Sequence, residues 1–180
     1  MQRLLIAEDR SMAGRFHVPA HPGPTNASIS RRMSVLRRRD NARELGLRRA
    51  LHHAGLRFRV CHPVPGLPRR SIDIAFTRVR LAVFLDGCFW HGCPEHGTHP
   101  VSNSTWWSTK LGTNRARDQD TTGHLERAGW RVLRIWEHVP LHDAVAVVLD
   151  AIAGARDNRE EGAASAVHGS CGPGADPASR

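Results

Sequence analysis

The sequence predicts one mixed α/β domain, and three observations carry that expectation. Its 180 residues are the length of a single domain with tails. Three short runs rich in β-branched and aromatic residues follow a stretch of helical periodicity, and a fourth run lies between two further helical stretches. The ends, 1–30 and 155–180, show neither period and have the composition of disordered tails. The folded domain is therefore expected over residues 31–154.

Asn41 with Glu44 forms a capping pair, Leu47, Ala50, Leu51 and Ala54 recur at helical spacing, and Gly55 suits the stop. This predicts a helix over 41–54. The runs RFRVC (57–61), SIDIAF (71–76) and LAVFL (81–85) predict strands. In the second, Ile72, Ile74 and Phe76 alternate with Asp73 and Ala75, which points Asp73 away from the apolar face. A polar helix is expected over 104–128, a strand in WRVLRIW (130–136) and an amphipathic helix over 143–154. The order is αβββαβα. No stretch approaches the roughly 18 apolar residues of a membrane span, and the opening MQRLLIAEDR has too short an apolar patch for a signal peptide. A cytoplasmic protein is the expectation.

The charge is uneven. The chain carries 26 basic residues against 17 acidic ones, and Lys110 is the single lysine. Between Arg31 and Arg70 stand twelve arginines against Asp40 and Glu44, so the rest of the chain is close to neutral. Genome composition accounts for part of the arginine content, but not for its concentration, which reads as a footprint for phosphate and hence nucleic acid.

Without a secretory signal, Cys61, Cys88, Cys93 and Cys171 are expected as thiols or metal ligands rather than disulfides. Cys88, Cys93 and His96 form C-x4-C-x2-H directly after a strand. Zinc takes four sulfur or nitrogen ligands in a tetrahedron, so a fourth must come from elsewhere. His138, just past the last strand, is the choice, with His91 and His99 as competitors.

A second constellation is acidic. Asp73 in one strand and Asp86 at the end of the next could meet across a sheet, with Glu44 arriving from the preceding helix. Carboxylates beneath a basic DNA-binding face repel phosphate unless a divalent cation sits between them, which is the logic of metal-assisted phosphodiester hydrolysis. The plainer alternative is that Asp73 and Glu44 pair with nearby arginines. A third feature is aromatic: Phe89-Trp90 and Trp106-Trp107 lie near the basic surface and could wedge between base steps. One of Trp106 and Trp107 is expected to be buried, because neighbours on a helix face different ways.

The segments RRMSVLRRRD, the helix with Glu44, ID before a strand, FLDGCFWHGCPEHG, WWSTKLGTN, RD and GWRVLRIWEH follow one another in a family order. Through them the chain resembles the very short patch repair (Vsr) family of DNA mismatch endonucleases over about residues 31–140. The resemblance implies a restriction-endonuclease-like fold of the PD-(D/E)xK type, a mixed sheet flanked by helices with a structural zinc. It also implies Mg²⁺-dependent nicking of one strand at a T:G mismatch left by deamination of 5-methylcytosine. Carried over, it makes Asp73 the principal Mg²⁺ ligand, with the main-chain carbonyl of Leu85 beside it, His91 the catalytic histidine and Glu44 a supporting acid. Phe89, Trp90 and Trp107 become the wedge, with Met33 entering from the other groove, and Cys88, Cys93, His96 and His138 the zinc ligands. The implied partner is double-stranded DNA, bound by a monomer, with a functional link to a cytosine-5 DNA methyltransferase and repair proteins.

The chain departs from the family pattern at several points. Ile72 stands where Pro is usual, NARE replaces Lys-Pro-Glu, and Gly46 lies inside a helix at about 1 kcal/mol relative to Ala. Cys88 takes the Lys place of the D-x-K pattern, and Lys110 receives no role. Two rivals remain: a non-catalytic zinc-dependent DNA-binding module, and a restriction-type endonuclease of the same fold.

Overall fold

The computed structural model describes residues 16–23, 42–98 and 100–167. Met33, Asn41, His99 and Cys171 lie outside them. Helix α1 (Ala42–His53) leads into β1 (Arg59–Val64), β2 (Leu67–Phe76) and β3 (Leu81–Asp86). A one-turn helix α2 (Cys88–His91), the long α3 (Ser104–Arg127), β4 (Arg131–Trp136) and α4 (Leu141–Val167) complete the chain. The four-stranded sheet has the order β1-β2-β3-β4. β2 pairs antiparallel with β1 and β3, and β4 lies parallel to β3. The parallel pair requires a crossover, which α3 supplies.

Helices cover both faces. Leu47 and Leu51 of α1 and Val148 and Ile152 of α4 pack with Ile74, Phe76, Leu81, Val83 and Ile135 on one side. Leu125 of α3 packs with Val64, Leu67, Ala75, Ala82 and Phe84 on the other. β3 is covered on both faces, so it reads as an unbroken apolar run rather than an alternation. Each fully buried Leu, Ile or Val contributes about 1.5–3 kcal/mol. Ile72 leaves the alternation of β2 and packs with the second cluster, beside the bulge between Pro63 and Val64.

Two stretches within the expected tails have described structure. α4 continues as far as Val167. Ala, Arg and Glu propagate an existing helix cheaply, without needing a buried stripe of their own. Residues 16–23 lie on the domain, where Trp106 Nε1 donates to the Pro19 carbonyl at 2.8 Å and Asn103 Nδ2 to the Gly23 carbonyl at 3.3 Å. Among the described residues no helix is long and apolar enough to cross a membrane, and Cys61, Cys88 and Cys93 are free thiols.

Candidate active site and metal-binding cluster

The sheet register builds the site. Extending the β2/β3 pairing by one residue sets Asp73 level with Phe84, and the parallel partner of Phe84 is Arg134. Asp73, Phe84 and Arg134 therefore form a row across three strands on the face that α3 covers, and Asp86 follows two residues on. These residues, with Leu85, His91 and Asp118, line a cavity of about 510 Å³ whose rim includes Phe16 and Arg70.

Asp73 Oδ2 accepts the Leu85 amide at 2.9 Å. Burial, above all, holds its carboxyl above the ordinary carboxylate range; the charges of Glu44 and Asp86 add to this, while the Leu85 amide and Arg48 oppose it. Such a carboxylate gains most from a cation. Glu44 is buried and paired with Arg48 on its own helix. It does not line the cavity, and it reaches Asp73 through its charge. Of the two acids in the arginine-pairing alternative, Glu44 is so paired, whereas Asp73 is held by a backbone amide.

His91 Nδ1 lies 2.6 Å from Asp118 Oδ2 and 3.6 Å from Asp86 Oδ1. Burial disfavours the imidazolium, but the Asp118 hydrogen bond and the charges of Asp86 and Asp118 outweigh burial and the opposing Arg134, so the pKa stands above the ordinary imidazole value. With Nδ1 turned to Asp118, Nε2 is the nitrogen left to exchange a proton. Arg134 holds Asp86 in a fork, Nε to Oδ2 and Nη2 to Oδ1, both at 2.6 Å.

Across α2, Cys88, Cys93, His96 and His138 bring four donor atoms within 4.8 Å of one another. Cys88 Sγ and Cys93 Sγ stand 3.1 and 3.6 Å from His138 Nδ1. Sulfur and nitrogen ligands of one tetrahedral zinc would be separated by about 3.5 Å, from bonds of about 2.3 and 2.0 Å. The donor set and spacing fit such an ion. Glu95 Oε2 lies 3.6 Å from His138 Nε2, too far for a hydrogen bond but within reach of an ion pair. His91, the competing ligand, is turned to Asp118 instead.

Phe89, Trp90 and Trp107 form one aromatic cluster, with centroids 5.0, 5.2 and 5.9 Å apart. Trp90 is 38% exposed. Trp106 and Trp107 are both half-buried, contrary to the expectation that one is buried, because α3 begins at the domain surface. There His21 packs edge-on to Trp106 at 4.5 Å.

Sequence reasoning gave no role to Asp118 or Arg134. Asp118 had a signal: Leu111, Asn114, Thr121 and Leu125 are the buried residues of α3, and residue 118 completes their 3-4-3-4 spacing. An acid on an inward stripe is unusual. Arg134 had none, because it occupies an ordinary polar position of β4.

Comparison with known proteins supplies the family. Residues 24–96 match the family described as DNA mismatch endonuclease Vsr. The type II nicking enzyme V.NaeI of Lentzea aerocolonigenes is 46% identical over 152 residues, covering 80% of this chain and 91% of that protein. The nicking enzyme V.XorIIP of Xanthomonas oryzae pv. oryzae is 40% identical over 110 residues, or 58% and 76% of the two chains. The DNA mismatch endonuclease Vsr of Escherichia coli K12 is 35% identical over 116 residues, or 62% and 70%. With this cavity, this Cys/His cluster and these relatives, the chain belongs to the Vsr family of DNA mismatch endonucleases.

Proposed function

We propose that this protein nicks one strand of double-stranded DNA at T:G mismatches arising from 5-methylcytosine deamination, by Mg²⁺-dependent phosphodiester hydrolysis. The observation that carries the reading is the cavity that sets the desolvated Asp73 carboxylate opposite the His91–Asp118 pair. The mixed sheet flanked by helices supports a fold of the PD-(D/E)xK type.

Asp73 and the Leu85 carbonyl would hold Mg²⁺, which when bound supplies positive charge at the scissile phosphate. His91 accepts a proton from the attacking water at Nε2, while Asp118 fixes the ring and balances the imidazolium that forms. Glu44 supports Asp73 from outside the cavity. Phe89, Trp90 and Trp107 enter the base stack, aided by Met33, and a T:G wobble opens at lower cost than C:G. Cys88, Cys93, His96 and His138 bind a structural zinc with no open position for water. The protein acts as a monomer in the cytoplasm, and its substrate links it functionally to a cytosine-5 DNA methyltransferase.

Two duplexes identical except for T:G or C:G, incubated with Mg²⁺ or with EDTA, test the reading. Nicking of T:G alone, and only with Mg²⁺, is the expected result. Equal cutting of both duplexes would favour the restriction-type reading of the same fold, and binding without cutting the non-catalytic one.

A further inference from the structure

The cleavage chemistry above leaves Arg134 without a task. Its guanidinium grips both oxygens of Asp86 at 2.6 Å, and Nη2 lies 3.4 Å from Asp118 Oδ1. Those two acids face one atom: His91 Nδ1 has Asp118 at 2.6 Å and Asp86 at 3.6 Å. A single N–H satisfies one close acceptor, so the carboxylates compete for it. Asp86 is only 4% exposed. Without its counter-ion it would be an uncompensated buried charge, drawn to His91 or to any cation held by Asp73. Arg134 also adds a fixed positive charge to a cavity that gathers Asp73, Asp86 and Asp118 and must admit a phosphodiester. Its third guanidinium nitrogen, Nη1, is buried, so the part of the group that meets the cavity is the part that grips Asp86. A planar fork suits this task and a lysine does not, because two parallel bonds and a side contact come from one rigid group.

We infer that Arg134 is a positioning residue of the cleavage site: by clamping Asp86 in a bidentate ion pair it leaves Asp118 as the one close acceptor for His91 Nδ1 and keeps Asp86 away from the cation position beside Asp73. The inference rests on the proposed reading of His91 as the base.

The test is a double-mutant cycle of Arg134→Gln and Asp86→Asn, with folding checked by circular dichroism. DNA affinity is measured by fluorescence anisotropy in EDTA, and the nicking rate in single turnover at saturating enzyme with Mg²⁺. Arg134→Gln is expected to lose about 10²-fold in rate, the order of general-base loss, with DNA affinity nearly unchanged. The double variant is expected to recover about tenfold, because the uncompensated carboxylate is gone. Arg134→Lys keeps the charge without the fork and should fall between; it carries the same comparison where Arg134→Gln does not fold. An unchanged rate, a loss of affinity in place of rate, or a double variant no faster than Arg134→Gln overturns the inference. His91→Ala is run in parallel. A wild-type rate there overturns the base reading and the inference together, whereas slow His91→Ala beside full-rate Arg134→Gln overturns the inference alone.

Discussion

The pair formed by His91 and Asp118 makes a prediction whose size and pH signature both follow from the geometry. Asp118→Asn keeps the side-chain shape but removes the charge 2.6 Å from His91 Nδ1. The amide can then present its N–H₂ to the ring, which favours the proton on Nε2 and takes away the basic nitrogen. A hydrogen bond to a charged group is worth about 1.5–3 kcal/mol, or roughly 10–10² in the population of the working tautomer and orientation. The nicking rate of Asp118→Asn should therefore fall by about 10–10² at neutral pH. The pH profile supplies the second half. His91 works as a base when neutral, and its pKa is raised, so kcat/KM of the native protein should climb with pH through a value above the ordinary imidazole pKa of about 6.5. Removing the Asp118 charge removes a main cause of that rise. The acid limb should move to lower pH while the plateau drops. Single-turnover nicking of a T:G duplex between pH 5.5 and 9 reads both quantities. A wild-type plateau, or a reduced plateau with the acid limb unmoved, would refute the assignment of His91 as base oriented by Asp118.

Three further outcomes are expected. Asp73→Asn should abolish nicking yet raise the Tm of the metal-free protein, because it removes a buried carboxylate crowded by Glu44 and Asp86. The proton on Asp73 is bound more tightly in the folded state than in the unfolded chain. Its stabilising contribution in metal-free protein is therefore full below the ordinary carboxylate value of about 3.9, and calorimetry should find it lost as pH rises through the higher folded-state pKa. Gly97→Ala would place a Cβ 2.4 Å from the Cys93 carbonyl oxygen, so the backbone of Cys93, a member of the Cys/His cluster, must shift. Zinc should transfer faster to a chromophoric chelator from Gly97→Ala than from native protein, and an unchanged rate would show that the cluster does not depend on this turn. Trp90→Ala should lower the T:G over C:G nicking ratio on matched duplexes, and a preserved ratio would assign Trp90 to packing alone.

The order of the longer elements was legible because most segments carry a period or, as in β3, an unbroken apolar run, while the one-turn α2 is too short to show either; the Cys/His set was legible because three of its four members fall within nine residues directly after a strand. Asp73 was legible as a lone acid in an apolar strand. Asp118 and Arg134 were harder for a physical reason. Asp118 meets His91 across 27 residues and Arg134 meets Asp86 across 48, so no local spacing announces either contact. Pairing of β3 with β4 brings Arg134 to the site, and that register is a property of the assembled sheet. The docked segment 16–23 was opaque for another reason. Pro- and His-containing stretches have no period to read, and its hydrogen bonds to the domain use backbone carbonyls that any residue could supply, although His21 and Phe16 also pack on Trp106 and Arg70.

The placement of His91 also ties the Cys/His cluster to the proposed cleavage site. Helix α2 is four residues long, with Cys88 at its first position, His91 at its last and the Phe89-Trp90 pair between them. One turn of helix fixes several dihedrals for a single backbone hydrogen bond and is not stable alone. Its ends must be held from outside. Glu137 accepts the Cys88 amide at 2.8 Å, Asn114 donates to the Trp90 carbonyl at 3.1 Å, and Gly92, with φ of 68°, turns the chain so that the Cys93 amide reaches the Cys88 carbonyl at 2.9 Å. That turn also returns Cys93 to the side of Cys88, where His138 meets both. An ion bound by these thiols and imidazoles would therefore fix the start of the turn whose end is His91 and whose middle carries two of the wedge aromatics. In the proposed reading, loss of the ion would displace His91 and the Phe89-Trp90 pair together, so the cluster would act on cleavage through the backbone that carries them.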